Sequence, residues 1–228
     1  MKYQKLLYFL QNLGKDPSGL MFEDYLTGLN NRRFLLHYLK HNIDWGGLDD
    51  KPVSLVMLDI DFFKRINAQY GSTVGDQVLA HVAGILKDIS QEKGIPILYA
   101  GDEFMVLLPG RNKQAAVSLV AEVFYQIKNQ PLFSPDAGRE ISFTLSMGIA
   151  TAPDDAADGE TLVHQVKNAL HHAKHLGRNR YADAGMVSRQ AVHYLQTAGV
   201  VGRKSQFDQI GMALNKFGDG IGQLVIVA

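Results

Sequence analysis

The chain has 228 residues, 46% hydrophobic and 20% charged, with no cysteine and 23 basic residues balanced by 23 acidic ones. That length holds one ordinary domain plus an extension, or two small domains, and the apolar fraction excludes wholesale disorder. The missing cysteines exclude a disulfide framework, a thiolate zinc site and a cysteine nucleophile, and the zero net charge argues against a broad nucleic-acid or anionic-membrane footprint.

In chain order, residues 3–13 read as a short amphipathic helix stopped by Gly14. No small-residue cleavage site follows, and no run of about 18 apolar residues marks a membrane span, so a cytoplasmic location is expected. Residues 24–29 are turn-like, and Phe34, Leu35, Tyr38 and Leu39 give 31–41 a helical period. A loop is expected around Trp45–Asp50, then a buried strand at Val53–Leu58, where the apolar run is continuous. Residues 74–89 read as a helix. The apolar runs 95–99 and 104–108 flank Ala100-Gly101-Asp102-Glu103, a hairpin signal. A helix at 114–127, a strand at 141–150 and a helix at 161–176 complete the regular pattern. Residues 182–185 look like a linker, followed by helices at 188–197 and 204–217 and an apolar strand at 224–227, with a domain boundary near 182–201. Helices alternating with strands, one pair being a tight hairpin, point to a layered sheet of mixed or antiparallel order.

Asp59 ends the first buried strand, Asp61 lies two residues on, and Asp102 and Glu103 occupy the hairpin turn. If the hairpin pairs beside that strand, Asp59 and Asp102 converge at one sheet edge. Converging carboxylates repel unless a hard divalent cation neutralises them, and Mg²⁺ favours a few carboxylate oxygens plus phosphate oxygens. His37/His41 and His171/His175 have the i, i+4 spacing that can hold zinc, but a catalytic zinc needs a third ligand. These four, with His164 and His172, read as exposed helix histidines.

Five segments then resemble one family. Asp24-Tyr25-Leu26-Thr27-Gly28-Leu29-Asn30-Asn31-Arg32-Arg33, the run Asp59 to Asn67 with Tyr70-Gly71 and Gly75-Asp76, and Ala100-Gly101-Asp102-Glu103-Phe104 are similar to the successive signatures of the GGDEF (diguanylate cyclase) domain. Ser146 to Ala150 and Ala173 to Asn179 are similar to its last two. The resemblance implies an α+β, nucleotidyl-cyclase-like fold with an antiparallel or mixed central sheet flanked by helices. It implies three regions: an N-terminal helix and linker at 1–21, the GGDEF domain at 22–182, and a linker with a helix–strand tail at 183–228.

The reaction implied is condensation of two GTP into cyclic di-GMP and pyrophosphate across a homodimer. By family match Asp59, Asp102 and the Ile60 carbonyl hold Mg²⁺ (or Mn²⁺), and Asp102, Glu103 and Lys64 are catalytic, Glu103 helping with proton transfer. Asn67 and Asp76 read guanine, Phe62, Phe63 and Gly101 line the substrate, and Lys174 and Arg178 meet the terminal phosphates. A carboxylate suits guanine, because it accepts from N1–H and the 2-amino group, donors that adenine lacks as a pair. Lys174 and Arg178, four apart, are expected on one helix face.

Four departures stand out. Ala100 replaces the first motif glycine, which matters if φ there is positive. Ala68 and Ser72 replace an Asp and a His. The family's inhibitory Arg-x-x-Asp pair is Gln91 and Gly94 here, and a further arginine is Leu98, so product feedback is expected to be absent. The tail from Val200 resembles the lead-in to a P-loop signalling ATPase. The alternative function is therefore a weak or inactive GTP-binding, dimerising module that regulates an attached ATPase. No nucleic-acid partner and no membrane span are expected.

Overall fold

The computed structural model describes residues 21–41 and 51–186. The segments expected at 3–13, 45–50, 188–197, 204–217 and 224–227, and the ATPase-like lead-in, lie outside the described residues. The chain divides after Ala184, and every element named below precedes that division.

The helices are α1 (Arg32–His41), α2 (Phe63–Tyr70), α3 (Ser72–Ser90), α4 (Lys113–Asn129) and α5 (Gly159–His175). The strands are β1 (Asn30–Asn31), β2 (Val53–Ile60), β3 (Ile95–Ala100), β4 (Glu103–Pro109), β5 (Leu132–Ser134), β6 (Arg139–Ile141), β7 (Leu145–Ala152) and β8 (Tyr181–Asp183). Six strands form the main sheet in the order β1-β3-β4-β2-β7-β8. β2, β3, β4 and β7 pair antiparallel, whereas β1 joins β3 and β8 joins β7 in parallel. The mixed sheet flanked by helices is the α+β architecture expected.

The two faces of the sheet follow from strand periodicity. On β2, Val56, Leu58 and Ile60 enter one core with α3 and α4, while Val53, Leu55 and Met57 enter the other with α1 and α5. Burial on both faces explains why β2 reads as an unbroken apolar run. Asp59 falls on the α5 face by the same alternation. α5 crosses β7 so closely that a Cβ on Gly148 would strike the backbone at Val166 and Leu170. That contact needs a glycine in mid-strand, where it otherwise weakens pairing.

Two expectations need correction. The strand expected at 141–150 is two pieces, because Ile141 pairs with Leu132 in a separate two-stranded sheet and β7 starts at Leu145. The linker expected at 182–185 is in part an edge strand: Tyr181, Ala182 and Asp183 pair with Met147, Gly148 and Ile149, and Ala182 and Asp183 are buried. Ala-Asp-Ala-Gly has poor strand propensity. It becomes a strand because the β7–α5–β8 crossover returns the chain beside β7.

Candidate functional site

Two chain reversals build the site. The first joins β3 to β4. Ala100 pairs with Glu103, leaving Gly101 and Asp102 as the turn, and Gly101 takes φ +55° as such a tight turn requires. Among the described residues the non-glycine positions with positive φ are Phe62, Arg178 and Asn179. Ala100 is not one of them, so the alanine imposes no left-handed strain. The hairpin lies beside β2, where Asp59 is the cross-strand partner of Glu103. Asp102 stands in the turn, and its carbonyl accepts from Ile60 N–H at 3.4 Å. The convergence of Asp59 with the hairpin acids is thus produced by strand register.

Asp59 is buried, and its Oδ2 lies 2.6 Å from Lys174 Nζ. Burial pushes its carboxyl above the ordinary carboxylate range. Lys174 opposes that shift, and the charges of Asp102 and Glu103 add to it. Lys174, which the resemblance places on the triphosphate, here pairs with a carboxylate.

The second reversal leads from β2 into α2. Phe62, a residue 60% exposed, caps the helix from the left-handed region at φ +59°. Arg65 N–H and Ile66 N–H donate to the Phe62 carbonyl. The N–H groups of Phe63 and Lys64, in the first turn, have no intrahelical acceptor. Lys64 is exposed on that turn. Further along α2, Asn67 Oδ1 is buried without a hydrogen-bond partner. It presses on Gly75, where a Cβ would collide with it. Asp76, the next residue, is exposed at the start of α3. A buried, unpaired amide oxygen beside an exposed carboxylate is a pair of acceptors that the N–H donors of a base edge would satisfy.

Arg178 is not on the α5 face that four-residue spacing suggested. α5 ends at His175, and Gly177 takes φ +109°. Arg178 N–H then reaches back to the Ala173 carbonyl at 3.2 Å, a six-to-one helix stop. Arg178 nevertheless turns toward the site, its guanidinium 4.7 Å from the Phe62 ring centre and its Nε 4.0 Å from Asp61 Oδ1. In the sequence Asp61 stands out only as a neighbour of Asp59. Its side chain is fully buried and accepts from Ser146 Oγ at 2.6 Å, Thr144 Oγ1 at 2.7 Å and Asn179 N–H at 3.1 Å. The hydroxyls of Thr144, just before β7, and of Ser146, within it, were the available signal.

The histidine pairs lie outside this cluster. The His37 and His41 rings are 4.5 Å apart, and His171 and His175 approach Nε2 to Nε2 at 3.1 Å. Among the described residues no three histidine or acidic side chains are grouped to hold a metal. At the positions of the inhibitory pair, Gln91 is exposed, and a Cβ on Gly94 would meet Leu108 Cδ2 at 2.6 Å and the Leu107 carbonyl at 2.9 Å. Leu98 packs against the core. Among the described residues no helix is long and apolar enough to cross a membrane.

A family model described as "Diguanylate cyclase, GGDEF domain" matches residues 21–180. The chain is 32% identical over 172 residues to the response regulator PleD of Caulobacter vibrioides, covering 75% of this chain and 38% of PleD. It is 30% identical over 160 residues to diguanylate cyclase A of Treponema denticola, covering 69% and 43%. Its fold is similar to the crystal structure of the GGDEF domain of DgcB from Caulobacter crescentus in complex with c-di-GMP, with a TM-score of 0.67 and 25% identity over 72% of this chain and 96% of that one. The chain spans less than half the length of these two curated relatives.

Proposed function

The chain belongs to the GGDEF family of diguanylate cyclase domains, and from that premise we propose that it condenses two GTP into cyclic di-GMP with release of two pyrophosphates. The observation that carries this reading is the register pairing Asp59 with Glu103 and bringing the Asp102 turn to the end of β2.

The donor set fits a hard divalent cation. Asp59 is desolvated and lies within the fields of Asp102 and Glu103, so an ionised cluster calls for positive charge that oxygen ligands can bind. Asp59, Asp102 and the Ile60 carbonyl would hold Mg²⁺ or Mn²⁺. When bound, the cation neutralises triphosphate charge and lowers the pKa of the attacking hydroxyl. This chain's own residues do the rest. Asn67 and Asp76 take the guanine edge, beside the Phe63 ring that packs at Gly75. Lys64, the first-turn N–H groups of α2 and Arg178 receive phosphate oxygens, and Lys174 can transfer to them from Asp59. Glu103 takes the proton of the 3′-hydroxyl. The hydroxyl oxygen then bonds to the α-phosphorus of the partner's GTP as the bond to the β-phosphate oxygen breaks. Each protomer holds one GTP, so two protomers complete the reaction as a homodimer.

Ala100 and the exposed Ala68 and Ser72 leave this set in place. Product feedback through the segment between α3 and β3 is not expected, because Gly94 has no room for an aspartate and both arginines are missing. Turnover of purified protein with GTP and Mg²⁺ should therefore continue undiminished as cyclic di-GMP accumulates, and end-point inhibition would contradict that. The central test compares wild type with Asp102→Ala. Cyclic di-GMP made by the first and not the second supports the cyclase. GTP binding without turnover, in a sample shown to be dimeric, would establish the regulatory module instead.

A further inference from the structure

Asp61 is a third acid at the end of β2, and its surroundings differ from those of Asp59. Its Oδ2 accepts from Thr144 Oγ1 and from Asn179 N–H, and its Oδ1 accepts from Ser146 Oγ and faces Arg178 Nε. Its own N–H donates to the Thr144 carbonyl at 2.9 Å. No part of the side chain reaches solvent. A cation could use this carboxylate only by breaking bonds already made in a buried place, where each orphaned group is costly.

These partners lie on two separate segments, the entrance to β7 and the turn after α5. That turn runs through Gly177, Arg178 and Asn179 at φ +109°, +64° and +48°. Side-chain-bearing residues persist in that region only when their surroundings over-determine it. Here the Arg178 N–H bond to Ala173 fixes one end of the turn and the Asn179 N–H bond to Asp61 fixes the other. Arg178 thereby lies over the Phe62 ring, beside the first turn of α2.

Resting on the cyclase reading above, we propose that Asp61 is a positioning residue. It ties the turn carrying Arg178 to the end of β2 and so sets the arm that grips the triphosphate, and it takes no part in binding the metal. The carboxylate is matched to three hydrogen-bond donors and one facing charge on two segments, and an amide of the same shape cannot serve them all. In Asp61→Asn the new NH₂ can donate to a rotated Ser or Thr hydroxyl, but the charge facing Arg178 is lost in either orientation, and an NH₂ in the Oδ2 place gives up the Asn179 N–H as well.

The test uses the whole chain and three readouts: amide exchange of residues 177–180, half-saturation by GTP, and half-saturation by Mg²⁺ at saturating GTP. Asp61→Asn should speed exchange at 177–180 selectively and raise half-saturation for GTP on the order of tenfold. It should leave the Mg²⁺ dependence where wild type has it. Asp59→Asn should shift the Mg²⁺ dependence without loosening 177–180. Unchanged exchange in Asp61→Asn would overturn the proposal, as would a Mg²⁺ shift matching that of Asp59→Asn. Thr144→Val removes one donor and spares the charge. It should move exchange and GTP half-saturation in the same direction by less, which keeps the test decisive if Asp61→Asn fails to fold. If wild type makes no cyclic di-GMP, the cyclase reading fails, while the exchange measurement still decides whether Asp61 holds the turn.

Discussion

An alanine in place of glycine is costly where φ is positive and nearly neutral elsewhere. Ala100 precedes the left-handed residue of the hairpin, and the glycine that adopts it, Gly101, is retained. Ala100→Gly should therefore alter turnover less than about threefold, well inside the tenfold that 1.4 kcal/mol would produce. Steady-state rates on GTP decide this, and a large gain would show that the alanine does limit the site. Lys174 makes a sharper case. Its ammonium holds Asp59 Oδ2 at 2.6 Å, so under the proposed function it would compete with a cation for that oxygen and would help the same site once phosphate arrives. Lys174→Met should bind Mn²⁺ alone about fivefold more tightly and Mn²⁺ with GTP more weakly, the size expected for a half-buried ion pair of about 1 kcal/mol. Mn²⁺ titration followed by electron paramagnetic resonance reads both. If the two affinities fall together, the ammonium does not compete for Asp59.

Among the elements, α5 matters most, since it lies over β7 and its last turn and exit carry Lys174 and Arg178. Its start is fixed by Asp158, which accepts from Thr161 N–H at 2.7 Å and Thr161 Oγ1 at 2.8 Å. Those bonds hold the Asp158 carboxyl below its ordinary value, the backbone bond contributing most. Asp158→Ala should lose about 1 kcal/mol, the usual worth of an N-cap, and lower Tm by about 2–4 °C. The sign of the pH dependence follows from linkage: a depressed carboxylate stabilises above its unfolded value of 3.8 and loses that contribution as pH falls through the lower folded value. Thermal melts should show a gap between wild type and variant at pH 7 that narrows near pH 3. A gap independent of pH would mean that the capping charge is irrelevant. The extents of α1, α3, α4 and α5 were legible to within a few residues, because 3.6-residue periodicity is local, whereas the eight residues of α2 are too few to display it. The end of α5 was legible from Gly177, but the position of Arg178 was not, since the residue leaves the helix through consecutive left-handed positions. β8 was missed for a related reason: Ala182 and Asp183 form a strand because β7 lies beside them, and nothing in their own propensities says so.

At the scale of the molecule, one end of the sheet's central strands gathers groups from distant parts of the chain: Asp59 from β2, Asp102 and Glu103 from the hairpin, Lys174 from α5 and Arg178 from the turn beyond it. If each protomer supplies one GTP, the rate should depend on protein concentration more steeply than linearly below the dimer dissociation constant. Specific activity should fall toward zero on dilution, in step with the monomer fraction from light scattering. Constant specific activity across a hundredfold dilution of a monomeric sample would exclude catalysis across a dimer. By itself the sequence determined the family, the α+β class and the identities of the acids, because strand and helix periods and spaced motifs are properties of short segments. Only the tertiary structure decided that Asp59 pairs with Lys174, that Asp61 is consumed by Ser146, Thr144 and Asn179, and that Ala100 is unstrained. Those outcomes depend on register, burial and backbone angle, which are set when segments far apart in the chain pack against one another.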